Sequence, residues 1–265
     1  MTLSNLLATF ETLWPKASAE EWDRPGLMVG NPEQEIKKVL LSVDVTAEVL
    51  DQAVQENCQL LITHHPLLLR PVHELGELTL KGNLVTKAIR SGLAIFSAHT
   101  NADIAAGGVS QSLASAIGLR NLSPLDPASG HGIVGDIDEL TLVDFARKIS
   151  KTIPATAAGV KVAGDSARLV SRVALVGGAG DSFLSLAASA GVDVFITSDL
   201  RHHPAQDFIE QAKLTDGPAL IDISHWAAEW VWLDKAAEQL STKHPGVEFV
   251  VSDLRTDPWD FAVMQ

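Results

Sequence analysis

Six of the nine histidines in this 265-residue chain fall just past apolar runs, where imidazole could serve as a neutral metal ligand. His64-His65 follow Leu60-Leu61-Ile62-Thr63, and His99, with Asp103 four residues on, follows Ala94-Ile95-Phe96-Ser97-Ala98. His202-His203 come shortly after Val194-Phe195-Ile196-Thr197, and His225 follows Ala219-Leu220-Ile221-Asp222-Ile223. Glu229 stands four positions after His225, so on a helix the imidazole and the carboxylate share one face. His64, His65, His225, Asp103 and Glu229 offer three imidazoles and two carboxylates. That is more than a single catalytic zinc with three protein ligands takes. Two ions about 3.5–4 Å apart, bridged by a carboxylate and a water, use five ligands economically and acidify water into a nucleophile at neutral pH. Hydrolysis is the reaction class this implies. One histidine pair alone would read as strand-end polar groups satisfied by loop backbone; four such strand ends together favour metal.

The apolar runs read as short buried strands: Ile36 to Val45, Gln59 to Thr63, Leu93 to Ala98, Arg172 to Val176, Asp193 to Thr197, Ala219 to Ile223 and Val247 to Val251. Helical patterns alternate with them. Thr2 is expected to cap a helix over residues 3–14, Thr46 one reaching Gln55, and further helices cover about 83–90, 142–150 and 225–240. Such alternation is the pattern of an α/β fold with mainly parallel sheets, whose ligands bind beyond the carboxyl ends of the strands. The stretch Ser123 to Gly135, rich in Pro, Gly, Ser and Asp, is the expected linker between lobes 1–125 and 126–265, the last C-terminal elements being free to pack back on the first. A faint repeat supports two similar lobes: a helix, a strand ending in Ile-Thr, and His-His-Pro recur at 50–66 and 184–204. Gly177-Gly178-Ala179-Gly180 is expected to make a tight strand-to-helix turn, with phosphate contact as the secondary reading. Asp44 either caps the next helix or supports the site. Trp226, Trp230 and Trp232 crowd the helix that bears His225, and are expected to pack or to contact another subunit. His73, His131 and His244 lie in polar or loop contexts and receive no role.

Lys and Arg number 20 against 33 Asp and Glu, a net charge of −13 that disfavours nucleic acid, whose phosphates call for cations. The lone Cys58 precedes an apolar run and reads as a core residue; one cysteine permits no intrachain disulfide, which fits a reducing compartment. With charges breaking the apolar runs and no basic, apolar leader at the N-terminus, the expectation is a cytoplasmic protein without a membrane span.

Five ordered motifs carry a resemblance over nearly the whole chain. They are Trp22-Asp23 with Gly26-Leu27-Met28-Val29-Gly30, Thr63-His64-His65-Pro66, His99-Thr100-Asn101-Ala102-Asp103, Ser198-Asp199-Leu200-Arg201-His202-His203, and Asp222-Ile223-Ser224-His225-Trp226-Ala227-Ala228-Glu229. With them the chain resembles the Nif-three-like family, whose members are often called GTP cyclohydrolase 1 type 2 homologues. The resemblance implies two α/β lobes facing a central metal cleft, two divalent ions per chain and a ring-shaped homohexamer. It places the metal ligands on His64, His65, Asp103, His225 and Glu229. His99 and His203 would line the cleft in supporting or substrate roles, and Asn101 would orient its loop. The chain departs from the family at Arg24-Pro25-Gly26, at Ser198-Asp199-Leu200-Arg201 where Gly-Asp-Ile-Lys is usual, and at Ser224 in a glycine's place. None of these is one of the five ligands.

Two functions follow as expectations. One is a metal-dependent hydrolase of a small substrate, nucleotide-like among the candidates. The other is a non-catalytic metal-binding ring or interaction protein, favoured by the absence of an assignable general acid. Mixed imidazole and carboxylate ligands suit Zn, Fe, Mn or Ni alike.

Overall fold

A computed structural model describes residues 1–263 of the chain. It divides into two compact units, Met1–Ala106 with Leu233–Thr256, and Gly107–Trp232 with the residues from Asp257 onward. In chain order the first unit holds α1 (Leu3–Leu13), β1 (Gly26–Val29), β2 (Lys38–Ser42), α2 (Ala47–Gln55), β3 (Leu60–Thr63), α3 (Leu80–Arg90), β4 (Ala94–Ser97) and the single turn α4 (Thr100–Asp103). The second holds α5 (Val109–Ala116), β5 (Arg120–Pro124), β6 (Ile133–Thr141), α6 (Leu142–Thr152), β7 (Lys161–Ala163) and β8 (Leu169–Ala179). It continues through α7 (Leu184–Ser189), β9 (Val194–Ser198), α8 (His202–Thr215) and β10 (Ala219–Asp222). The boundary at Leu233 falls inside α9 (His225–Lys243), and the last strand, β11 (Glu248–Val251), belongs to the first unit.

In the first unit the sheet runs β1-β4-β3-β2-β11, parallel throughout except for the edge pair β1–β4. The apolar runs are buried because helices cover them; Leu40, Leu61 and Ile95 pack with Val49, Leu50, Leu84 and Ala88 in one core. Register is what matters for function. Ser42 pairs with Thr63, and Thr63 with Ser97, so β2, β3 and β4 end level. The next residues continue the ladder, His64 N–H donating to the Ser42 carbonyl and Ala98 N–H to the Thr63 carbonyl. Asp44, His64-His65 and His99 therefore leave the sheet along one edge. Thr46 caps α2 by accepting from the Val49 N–H, as its position predicts.

The second sheet runs β5-β6-β8-β9-β10-β7. Parallel pairing is confined to β8–β9 and β9–β10, and the other three pairs are antiparallel, so the mainly parallel expectation describes the first sheet better than the second. The fold is α/β with two sheets.

Two local readings are corrected, and three strands lacked a sequence signal. The stretch Ser123 to Gly135 is not a linker but the turn of the β5–β6 hairpin, and the units change over earlier, at Gly107. Its turn residues satisfy backbone: Asp126 accepts from the Ala128 N–H and the Ser129 hydroxyl, and Leu125 N–H reaches the Gly132 carbonyl. Such composition marks a hairpin turn as readily as a boundary. The strands β1, β5 and β6 have no buried apolar run to announce them; β1 is half-buried throughout. Gly177-Gly178-Ala179 is no strand-to-helix turn but the end of β8, which runs on past Val176.

Candidate metal centre

In the first unit three imidazoles gather at the level strand ends. Nitrogens of His64, His65 and His99 lie within 4.8 Å of one another, and their ring centroids are 5.2–5.6 Å apart. Each ring has Nδ1 close to an oxygen. His64, 1% exposed, places Nδ1 2.9 Å from the Ala98 carbonyl. His65 Nδ1 is 2.7 Å from Asp44 Oδ1, whose other oxygen accepts from the Thr256 hydroxyl. His99 Nδ1 is 3.0 Å from Asp23 Oδ2. A carbonyl or carboxylate accepts only, so in His64 and His65 Nδ1 carries the proton and the Nε2 lone pair is turned to the other side of the ring. Metal-binding histidines are set up in this way. Asp44 thus supports His65 rather than capping α2.

Asp103, from α4, brings Oδ1 to 3.6 Å from His64 Nε2. The loop before it is tied down by Asn101, which accepts the His99 N–H at 3.0 Å and donates to the Trp14 carbonyl at 2.7 Å. Asp23 also accepts from the Thr100 N–H and hydroxyl. Burial alone would raise its pKa, but the bonds with His99 and Thr100 outweigh it and hold the carboxyl down at about 2. Trp22 sets its ring edge against His99, centroids 5.8 Å apart.

The second unit holds a histidine–carboxylate group of its own. Ser224 starts α9, its hydroxyl accepting from the Ala227 N–H and donating to Asp257 at 2.6 Å. His225 lies between two carboxylates, Nδ1 2.7 Å from Asp199 Oδ2 and Nε2 2.8 Å from Glu229 Oε1. Burial would lower the imidazole pKa, yet the Glu229 charge and the Asp199 and Glu229 bonds lift it to about 11. Asp199, held below the ordinary carboxylate value by its bond from His225, follows β9 with a left-handed φ of 55°. Non-glycine residues in that region tend to mark functional sites.

The glycine run finds its reason here. A Cβ on Gly178, whose φ is +84°, would stand 2.7 Å from Glu229 Oε1 and 3.5 Å from His225 Nε2. A Cβ on Gly180 would strike the Thr197 hydroxyl. Gly177 gives its N–H to Ser110 Oγ at 3.1 Å. The run makes room for the His225–Glu229 pair.

His203 lies exposed in the first turn of α8, its ring centroid 5.2 Å from that of His202. The repeat with His64-His65 holds for the strand and fails for the pair, because four residues, Ser198 to Arg201, intervene after Thr197. Asp23 and Asp199 received no role from the sequence, although both stand within the motifs quoted for the resemblance. Cys58 is buried, and burial pushes its thiol up to about 11, so it stays protonated.

The fold is α/β with two sheets, and the histidines at its strand ends include groups that could hold a metal ion. The family model described as Duf34/NIF3 (NGG1p interacting factor 3) matches residues 1–258, and the chain belongs to that family. A GTP cyclohydrolase 1 type 2 homolog of Streptomyces coelicolor is 42% identical over 97% of this chain and 93% of its own. Among solved structures, hypothetical protein SA1388 of Staphylococcus aureus superposes with a TM-score of 0.88 at 27% identity, covering 99% of both chains. A Bacillus cereus protein related to NIF3 does so with a TM-score of 0.90 at 24% identity over 99% of both chains, a likeness of fold.

Proposed function

We propose that His64, His65 and Asp103 of the first unit and His225 and Glu229 of the second serve one pair of divalent ions, and that the protein hydrolyses a small substrate there. The observation that carries this is the common support of the imidazoles. Those of His64, His65 and His225 each have Nδ1 engaged by a carbonyl or carboxylate, and the donor set is the mixed nitrogen and oxygen type that Zn, Fe, Mn and Ni accept. When bound, such ions supply positive charge at the substrate and acidify water at neutral pH. The chain's own contribution is orientation: Ala98, Asp44 and Asp199 fix the rings, Asn101 fixes the loop between His99 and Asp103, and Gly178 leaves room for Glu229. His99, braced by Asp23, is the candidate for contact with substrate.

Relatives named GTP cyclohydrolase 1 type 2 homolog support a nucleotide-like substrate. We place the protein in the cytoplasm as a homohexamer; no helix among the described residues is long and apolar enough to cross a membrane. Protein purified without chelator is expected to carry two ions per chain by mass spectrometry of metals. None, with the five residues intact, overturns the reading. A non-catalytic assembly is the second reading, favoured by Trp259, Phe261 and Val263, whose exposure of 65–80% leaves apolar surface for a partner. Metal-dependent turnover in a substrate screen, lost in His64→Ala, excludes it.

A further inference from the structure

The start of α3 carries a lysine where the helix pattern calls for a core residue. Lys81, Leu84, Val85 and Ala88 recur at i, i+3, i+4 and i+7 and share one face. The last three are buried in the core of the first unit. Lys81 is half-buried, and among the described residues its ammonium makes no hydrogen bond or ion pair. Lys87, further along the same helix, pairs with Asp51 at 2.6 Å. A partly desolvated charge without a partner is costly. Its place in the first turn, at the positive end of the helix dipole, adds to that cost. Burial pulls its pKa below the ordinary lysine value, with the Asp44 charge acting the other way.

Topology says where this ammonium stands. β3 and β4 are parallel neighbours joined through α3, so the helix starts on the side where the strands end. Asp44, His64, His65 and His99 leave the sheet on that same side. Gly82 holds the position: any side chain there would strike the Gly76 carbonyl, so the preceding loop packs directly on the start of α3. The Asp44 carboxylate whose charge reaches Lys81 is the one that orients His65.

We propose that Lys81 binds a phosphate group of the ligand taken at the strand-end edge of the first unit, beside His64 and His65. The inference builds on the proposed metal centre by naming an anionic group on its substrate. A phosphate would give the ammonium the charged partner it lacks, and charge-assisted bonds of this kind are the strong ones. The source is either free inorganic phosphate or a phosphomonoester such as a nucleoside monophosphate.

Calorimetric titration of the full chain, metal-free and metal-loaded, with inorganic phosphate and with guanosine monophosphate tests this. Lys81→Gln is expected to weaken binding at least about tenfold, with Lys81→Arg within about threefold of the wild type. Metal content should not change, and the melting temperature of Lys81→Gln should not fall, because the substitution removes a partly desolvated charge. A preference for the monoester points to the substrate source, equal affinity to phosphate itself, and both support the role. Equal affinity of wild type and Lys81→Gln overturns it, as does failure of the wild type to bind either probe. The metal-free arm decides the question even where metal analysis finds no ions, which keeps the two failures apart.

Discussion

Replacing Gly178 with alanine separates the cost of a strained backbone from the cost of a displaced ligand. At φ +84° a Cβ is driven toward the following carbonyl, which costs about 1–2 kcal/mol. For a chain of this size that lowers Tm by about 2–8 °C. The new methyl also meets Glu229 Oε1 at 2.7 Å, and the Glu229 side chain, 3% exposed, has little free space to turn into. The 2.8 Å contact between Glu229 and His225 opens, and metal affinity is expected to fall about 10–100-fold, the usual effect of disturbing a ligand's support. Gly177→Ala is the control. Its Cβ would press on Val109 Cγ1 at 2.6 Å, an overpacking cost of about 1–3 kcal/mol, without touching His225 or Glu229. Thermal melts and competitive metal titration on both variants give the answer. A Gly178→Ala protein with wild-type Tm and metal affinity refutes the reasoning, and so does equal loss of metal by the Gly177 control.

Asp199→Asn and Asp44→Asn leave His225 and His65 without the carboxylate at Nδ1, and each should cost about 10–100-fold in metal affinity by the same titration. In the metal-free protein His225 titrates near 11. Its contribution to stability is therefore complete below 6.5 and fades as pH rises through 11, while metal binding at pH 7–8 must expel its proton. Calorimetry in buffers of different ionisation enthalpy should find that proton, and none in His225→Gln. Asp23 acts in the opposite sense. Its carboxyl is held at about 2 against 3.8, so it contributes stability above 3.8 that is lost as pH falls toward 2. That gap corresponds to roughly 2 kcal/mol. Acid titration of stability should lose this part of its slope in Asp23→Asn, and an unchanged slope would count against the His99–Asp23 bond.

The histidine cluster of the first unit was legible because its signal is local. Leu60 to Thr63 is a continuous apolar run, and a run of that length ending in His64-His65 reads as a strand delivering side chains to a sheet edge. His225 and Glu229 were legible through helical spacing alone. Their supports were not, since Asp23 reaches His99, and Asp199 reaches His225, only through the fold. The glycine run misled for a physical reason. Glycine signals a turn when its freedom serves the backbone, whereas here its missing side chain serves Glu229 and Thr197, neighbours that periodicity cannot reveal. Pro, Gly and Ser make the β5–β6 hairpin resemble a linker, because they report a change of direction without saying how far the chain then travels.

The first sheet takes its edge strand from the far end of the chain. β11 pairs with β2, Phe249 against Val39 and Val251 against Leu41, and the residues of that strand emerge from the ribosome long after those of β2. Until they emerge, β2 has an open hydrogen-bonding edge although the rest of its sheet has long been made. Most of the second unit, residues 107–232, is by then complete and continuous. The nascent chain guards an exposed strand for more than half its translation, a natural place for a chaperone to bind.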